Sequence, residues 1–281
     1  MPAVLSTVDE ALERFPARPL EAGPRRFTYR ESGAGDPVVL LHGIGSSSAS
    51  WIPLFETLYG FRLLAWDAPG YGGSTPLQAS RPRAAEYAKA LRTFLDTLDL
   101  KRVLLVGHSL GALMAGAFVA ASPERVSALL LLDPAGGYGS ASPEAREKVR
   151  QGRLAMLHDL GPAGMAEQRA AALLSPQAPN DALEWVRSSM SRINPSGYEQ
   201  AVHMLADSDL AADARTFKGT SMVACGSADT VTPEAACRAL ADAFPHATYV
   251  TIEGAGHASY VEAPGAVGTL IRDFARIVHT A

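Results

Sequence analysis

The sequence predicts an α/β fold with a largely parallel sheet, and two observations carry that expectation. Short Val/Leu-rich runs alternate with helical patterns through the first half of the chain and again near its end. Near-continuous apolar runs of this length suit strands covered by helices on both faces, and strand–helix alternation is the mark of βαβ units. The alternation stops once, after Asp133-Pro134, where only helical patterns follow until about residue 212. One core interrupted by one helical insertion is expected.

The elements follow in order. Val38-Val39-Leu40-Leu41 is a strand bounded by Asp36-Pro37 and Gly43. Residues 61–66 form a second, closed by the turn Asp67-Ala68-Pro69-Gly70. Residues 84–99 read as an amphipathic helix, 102–106 as a strand, 110–121 as a buried helix and 126–132 as a strand. The insertion holds helical segments at 143–159, 163–174, 182–191 and 196–206, punctuated by Gly161-Pro162, Pro176, Pro179 and Pro195. A strand at 221–225, a helix at 233–244, a strand at 248–252 and a final helix at 264–279 complete the pattern. The division expected is core 1–137, helical cap 138–212 and core 213–281.

Composition bounds the function. The 281 residues are 47% hydrophobic and 19% charged, which excludes a disordered chain and suffices for a large core. The net charge of −4, with scattered basic residues, argues against a nucleic-acid partner. Two cysteines, Cys225 and Cys237, cannot build a disulfide framework, and they favour a reducing compartment. Residues 1–15 lack the basic and apolar regions of a signal peptide, and the longest apolar run, 110–121, is short of the ~18 residues that span a bilayer. A soluble cytoplasmic protein, monomeric or homodimeric and without a membrane partner, is expected. No His/Cys/Asp cluster has ligand spacing and no phosphate-binding loop is present, so neither metal nor cofactor is expected.

The sharpest chemical signal is Gly107-His108-Ser109-Leu110-Gly111, a G-x-S-x-G placed between a strand and a helix. A serine at such a turn is lifted above the sheet edge, with the positive end of the new helix facing it. A serine nucleophile needs a base. His257, in the loop Gly254-Ala255-Gly256-His257 after the last strand, is the candidate. His108 adjoins the nucleophile but points elsewhere, His42 braces its neighbouring loop, His158 and His203 lie in the insertion, and His246 and His279 suit the surface. The base needs an orienting carboxylate. Asp229 sits in the strand-end loop before the one carrying His257; Asp133, after the 126–132 strand, is the alternative acid. The oxyanion donors expected are the backbone N–H groups of Leu110 and of Ile44, in His42-Gly43-Ile44-Gly45.

Taken together, these motifs resemble the α/β-hydrolase superfamily over nearly the whole chain. The matching pieces are His42-Gly43-Ile44-Gly45, Asp67-Ala68-Pro69-Gly70-Tyr71-Gly72-Gly73-Ser74, the Ser109 turn, Gly226 with Asp229 and Pro233, and the His257 loop. The resemblance implies a mostly parallel eight-stranded sheet with a helical cap after the sixth strand. It also keeps Asp133 open, because some members place the acid after that strand. Haloalkane dehalogenases and epoxide hydrolases of this fold carry aspartate where Ser109 stands. Ring-cleavage C–C hydrolases often show Asn before the serine and Gly-Gly further on, where this chain has His108 and Gly111-Ala112.

The expected activity is a metal-independent serine hydrolase that cleaves a small carboxylic ester, lactone, thioester or activated amide through an acyl-enzyme. Two alternatives stand beside it: a C–C hydrolase of a vinylogous diketone acid from ring cleavage, and a ligand receptor keeping a slow triad. Pocket candidates are His42, Trp51, His108, Met156, Trp185 and Arg187. Phe55, Met165, Met190, Met204, Leu157 and Tyr198 either join them or pack the helices. One of Arg153, Arg169, Arg187 and Arg192 would bind a substrate carboxylate, or all four belong to a solvated face.

Overall fold

A computed structural model describes residues 7–280. In chain order the elements are α1 (Val8–Arg14), β1 (Arg18–Ala22), β2 (Arg25–Ser32), β3 (Asp36–Leu41), α2 (Ile52–Phe55), β4 (Phe61–Trp66), α3 (Ala84–Thr97), β5 (Val103–His108), α4 (Leu110–Ala121) and β6 (Val126–Leu132). Then come α5 (Pro143–Arg169), α6 (Asn180–Ser191), α7 (Pro195–Asp207), α8 (Leu210–Ala214), β7 (Ser221–Gly226), α9 (Glu234–Ala243), β8 (Ala247–Ile252), α10 (Ser259–Glu262) and α11 (Pro264–Thr280).

One eight-stranded sheet runs β1-β2-β4-β3-β5-β6-β7-β8. It is parallel except at β2, which pairs antiparallel with both β1 and β4. Every residue of β5 and β7 is buried, as the continuous apolar runs require of strands covered on both faces. The run that became α4 is buried from Leu110 to Val119. The mainly parallel α/β architecture with flanking helices is the one expected.

The β1–β2 hairpin, absent from the sequence expectations, holds the exposed edge. Its two-residue turn places Gly23 at φ 62°, a conformation glycine adopts freely. In the insertion, α5 breaks where Gly161-Pro162 stands, at φ 62° and ψ 176° for Gly161. The short α8 runs across position 212 and lies against α4, its Leu210 side chain filling the space over Gly116. Among the described residues, no helix is long and apolar enough to cross a membrane. The side chain of His279 lies outside the described ones.

Register aligns the strand ends that matter. Leu41 pairs with Gly107, His108 with Leu132, Leu132 with Ala224 and Gly226 with Ile252. The loops leaving β3, β5, β6, β7 and β8 therefore emerge side by side along one sheet edge, where ligands of open α/β sheets bind.

Candidate active site

Ser109 occupies the sharp turn from β5 into α4 with φ 50° and ψ −115°, a left-handed conformation that strains any residue with a Cβ. The surroundings hold it there. Its N–H donates to Leu132 O (3.0 Å), and its carbonyl accepts from Ala112 and Ala135 N–H (3.0 and 3.1 Å). The flanking glycines let the chain close: a Cβ on Gly107 would stand 2.7 Å from Gly111 O, and one on Gly111 2.3 Å from Leu41 O.

The loop after β8 brings His257 Nε2 to 3.0 Å from Ser109 Oγ. On its other side, Nδ1 lies 2.8 Å from Asp229 Oδ2, in the loop after β7. Asp229 is saturated with donors: Oδ1 accepts Val231 and Thr232 N–H (2.7 and 3.0 Å), and Oδ2 also accepts Thr232 Oγ1–H (2.6 Å). Burial acts to raise the pKa of this carboxyl, but the His257 hydrogen bond and charge and the Thr232 donors outweigh it and hold the group below its usual range. An ionised Asp229 accepting from Nδ1–H leaves Nε2 as the acceptor toward Ser109.

Asp133 is a buried neighbour of this chain, not a member of it. Its Oδ1 accepts Gly226 N–H (2.7 Å) and its Oδ2 meets Ser259 Oγ, so it ties the loop after β7 to the one after β8. Burial raises its pKa well above the usual carboxylate value, against the pull of those two bonds. Asp133, Cys225 and Asp229 offer donor atoms within 4.8 Å of one another, but both carboxylates are already engaged by protein donors. Cys225 and Cys237 are buried and free.

The two backbone amides singled out in the sequence are open. Among the described residues, neither Leu110 N–H nor Ile44 N–H has a hydrogen-bond partner. The peptide carrying Ile44 N–H is fixed from both sides. His42 Nδ1–H donates to Gly43 O (2.8 Å), and Tyr71 O–H donates to Ile44 O (2.8 Å). In a trans peptide the N–H points opposite the carbonyl, so holding Gly43 O aims Ile44 N–H. Gly43 packs on the Ser109 turn so closely that a Cβ there would stand 3.2 Å from Ser109 Cβ.

Ser109 and His257 open into a cavity of about 480 Å³. Of the pocket candidates, Met156 and His108 line it, and Ile44, the expected oxyanion donor, lines it too. Burial and the His257 charge bring the His108 pKa down to about 3, so this imidazole is neutral, and its Nε2–H donates to His257 O (2.8 Å). Four other candidates lie elsewhere. His42 is buried behind the loop, with Nε2 accepting Ala68 N–H (3.0 Å); burial lowers its pKa. Trp51 stacks behind Tyr260 with ring centroids 4.1 Å apart, and only Tyr260 reaches the cavity. Trp185 and Arg187 flank Val186 on α6, but helical rotation turns them away, while Val186, Ser189 and Met190 face inward at i, i+3, i+4 spacing. Arg187 pairs at the surface with Glu167 (3.5 Å).

Sequence reasoning missed a buried string of hydroxyls on the cavity wall. Ser46 Oγ lies 2.5 Å from Ser50 Oγ and 3.1 Å from Tyr260 OH, and Ser50 Oγ lies 2.8 Å from Ser189 Oγ. The cluster of serines at 46–50, directly after the Ile44 loop, was the available signal.

Strand order and the placement of the Ser109 turn are those of an α/β hydrolase. The family profile described as alpha/beta hydrolase fold matches residues 36–264, and the chain belongs to that family of enzymes. A 2-hydroxy-6-oxononadienedioate/2-hydroxy-6-oxononatrienedioate hydrolase of Pseudomonas putida is 39% identical over 121 residues, 41% of this chain and 42% of that one. The match thus spans under half of that relative's length. Among solved structures, an esterase from Thermogutta terrifontis superposes with TM-score 0.83 at 26% identity, covering 94% of this chain and 99% of that one. An enol-lactonase from Burkholderia xenovorans shares the fold, with TM-score 0.80, 24% identity and coverage of 92% and 100%.

Proposed function

We propose that the protein is a serine hydrolase of small carboxylic esters, lactones, thioesters or activated amides. The observation that carries this reading is the unbroken hydrogen-bonded chain from Asp229 through His257 to Ser109, at 2.8 and 3.0 Å, opening into a cavity of about 480 Å³. Ser109 Oγ attacks the carbonyl carbon while its proton passes to His257 Nε2. The oxyanion that develops is received by the N–H groups of Leu110 and Ile44. Collapse gives an acyl-enzyme, and the leaving group departs with the His257 proton. Water, deprotonated by His257, then adds to the acyl carbon and releases the acid and free Ser109. Helices α5, α6 and α7, the greater part of a 138–212 lid, shape the acyl pocket.

The esterase named among the structural neighbours supports this reading. The names of the curated relatives favour a second, cleavage of a C–C bond in a dienoate by the same residues. His108 before the serine and Gly111-Ala112 after it weigh against that second reading. The buried free cysteines support a reducing compartment.

A panel of short p-nitrophenyl esters beside a panel of ring-cleavage dienoates, assayed with wild type and Ser109→Ala, tests the proposal. Ester turnover abolished by the substitution supports it. Full ester turnover by Ser109→Ala, or turnover of dienoates alone, would overturn it.

A further inference from the structure

Residues 143–192 carry six arginines. Four of them meet carboxylates: Arg146 and Arg150 pair with Asp207, Arg187 with Glu167 and Arg192 with Asp9. The other two, Arg153 and Arg169, have no ion pair among the described residues, and both line the cavity that holds Ser109. Lys148, five residues before Arg153 on α5, lines the same cavity, and it too lacks an ion pair among the described residues. Among the described residues, no aspartate or glutamate lines this cavity.

This arrangement is costly unless something completes it. Three like charges around a partly closed space repel one another, and low-dielectric walls strengthen the effect. Lys148 and Arg169 are exposed and stand at the rim, where water screens them. Arg153 is half-buried, so water screens its charge less. Its charge reaches the Tyr71 hydroxyl, the group that holds Ile44 O. A planar guanidinium at that place matches a carboxylate through two parallel N–H···O bonds, which a lysine cannot supply.

We propose that Arg153 anchors a carboxylate carried by the substrate, with Lys148 and Arg169 steering the anion into the cavity, so that the preferred substrates are acyl compounds bearing a carboxylate away from the scissile bond. The assignment rests on the serine-hydrolase reading and names the substrate class of that site.

The test uses matched methyl esters followed in a pH-stat: monomethyl succinate, glutarate and adipate against methyl butanoate, pentanoate and hexanoate. In at least one pair the carboxylate member has a kcat/KM higher by about tenfold or more, falling as salt is added. Arg153→Met lowers that ratio by about tenfold, mainly through KM, and Arg153→Lys restores part of it. Arg187→Met, off the cavity, leaves the ratio as it is in wild type. Glutarate slows fluorophosphonate labelling of Ser109 in wild type but not in Arg153→Met. Preference for the neutral ester in every pair, a ratio that survives Arg153→Met, or equal protection by inorganic phosphate would overturn the carboxylate anchor, and labelling of Ser109 in those same samples would show the hydrolase reading still standing. If Ser109 took no label and neither series turned over, the hydrolase reading would fall and the anchor with it.

Discussion

Replacing each of the two buried aspartates by asparagine separates their roles. In Asp229→Asn, the backbone decides which way the amide sits. Oδ1 accepts N–H groups from Val231 and Thr232 at 2.7 and 3.0 Å, so only the asparagine carbonyl can stay there. The NH₂ group must then take the Oδ2 position, 2.8 Å from His257 Nδ1. Two donors cannot face each other, and the imidazole moves its proton to Nε2. That nitrogen, 3.0 Å from Ser109 Oγ, then offers a hydrogen instead of accepting one. Loss of the correct tautomer in a serine triad costs about 10⁴ in kcat, or about 5.5 kcal/mol of barrier. Asp133→Asn has no such conflict. Its carbonyl keeps the Gly226 N–H, and its NH₂ donates to Ser259 Oγ, a hydroxyl that accepts as readily as it donates. That change costs less than about tenfold. Steady-state kcat on one ester, with fluorophosphonate labelling rates as a second readout, measures both. A loss for Asp133→Asn equal to or larger than that for Asp229→Asn would refute the assignment of the acid.

Three further outcomes follow from the geometry. His42→Ala releases Gly43 O and with it the aim of Ile44 N–H; because losing one such donor costs about 10²–10³, kcat falls by tenfold or more with a smaller change in KM, and an unchanged kcat would contradict the role given to His42. Gly111→Ala places a Cβ 2.3 Å from Leu41 O and forces the backbone apart; thermal unfolding detects a loss of about 1–3 kcal/mol, or several degrees in Tm, and an unchanged Tm would show that the turn relaxes freely. Native Asp133 keeps its proton to higher pH than the unfolded carboxyl at ~3.9, so wild-type stability falls as pH rises through that window. Asp133→Asn lacks this ionisation, and its stability relative to wild type therefore improves from about pH 4 upward. A pH-independent difference in Tm would refute the raised pKa.

Much of this site is local in origin, and local features are legible in a sequence. The Val/Leu runs locate β3 to β6, because strands buried on both faces carry a nearly unbroken apolar signature. Glycines two residues either side of Ser109 mark the turn, because Gly107 lets β5 approach the start of α4 and Gly111 lets α4 approach the end of β3. The hairpin of β1 and β2 was not legible from alternation: β1 is an exposed edge strand, and only the Gly23-Pro24 turn announces it. Choosing between Asp229 and Asp133 needed loop geometry, since both follow strands and both are buried. The insertion hid the most. Sequence spacing tells which residues of α6 share a face, but Val186, Met190 and Trp185 are all apolar and all buried, so it does not tell which face looks onto the cavity. The arginines posed the same problem. The ones that remain free of carboxylates are set by where Asp207, Glu167 and Asp9 fall in space.

The claim on which the account rests is that Ser109 carries the acyl group during turnover. Protein quenched in acid while hydrolysing p-nitrophenyl acetate, digested and read by mass spectrometry, tests it directly. One acetyl group is expected on the peptide bearing Ser109, accumulating further when deacylation is slowed and absent from Ser109→Ala. Turnover with no acyl group at Ser109, or with the acyl group on another residue, would contradict it.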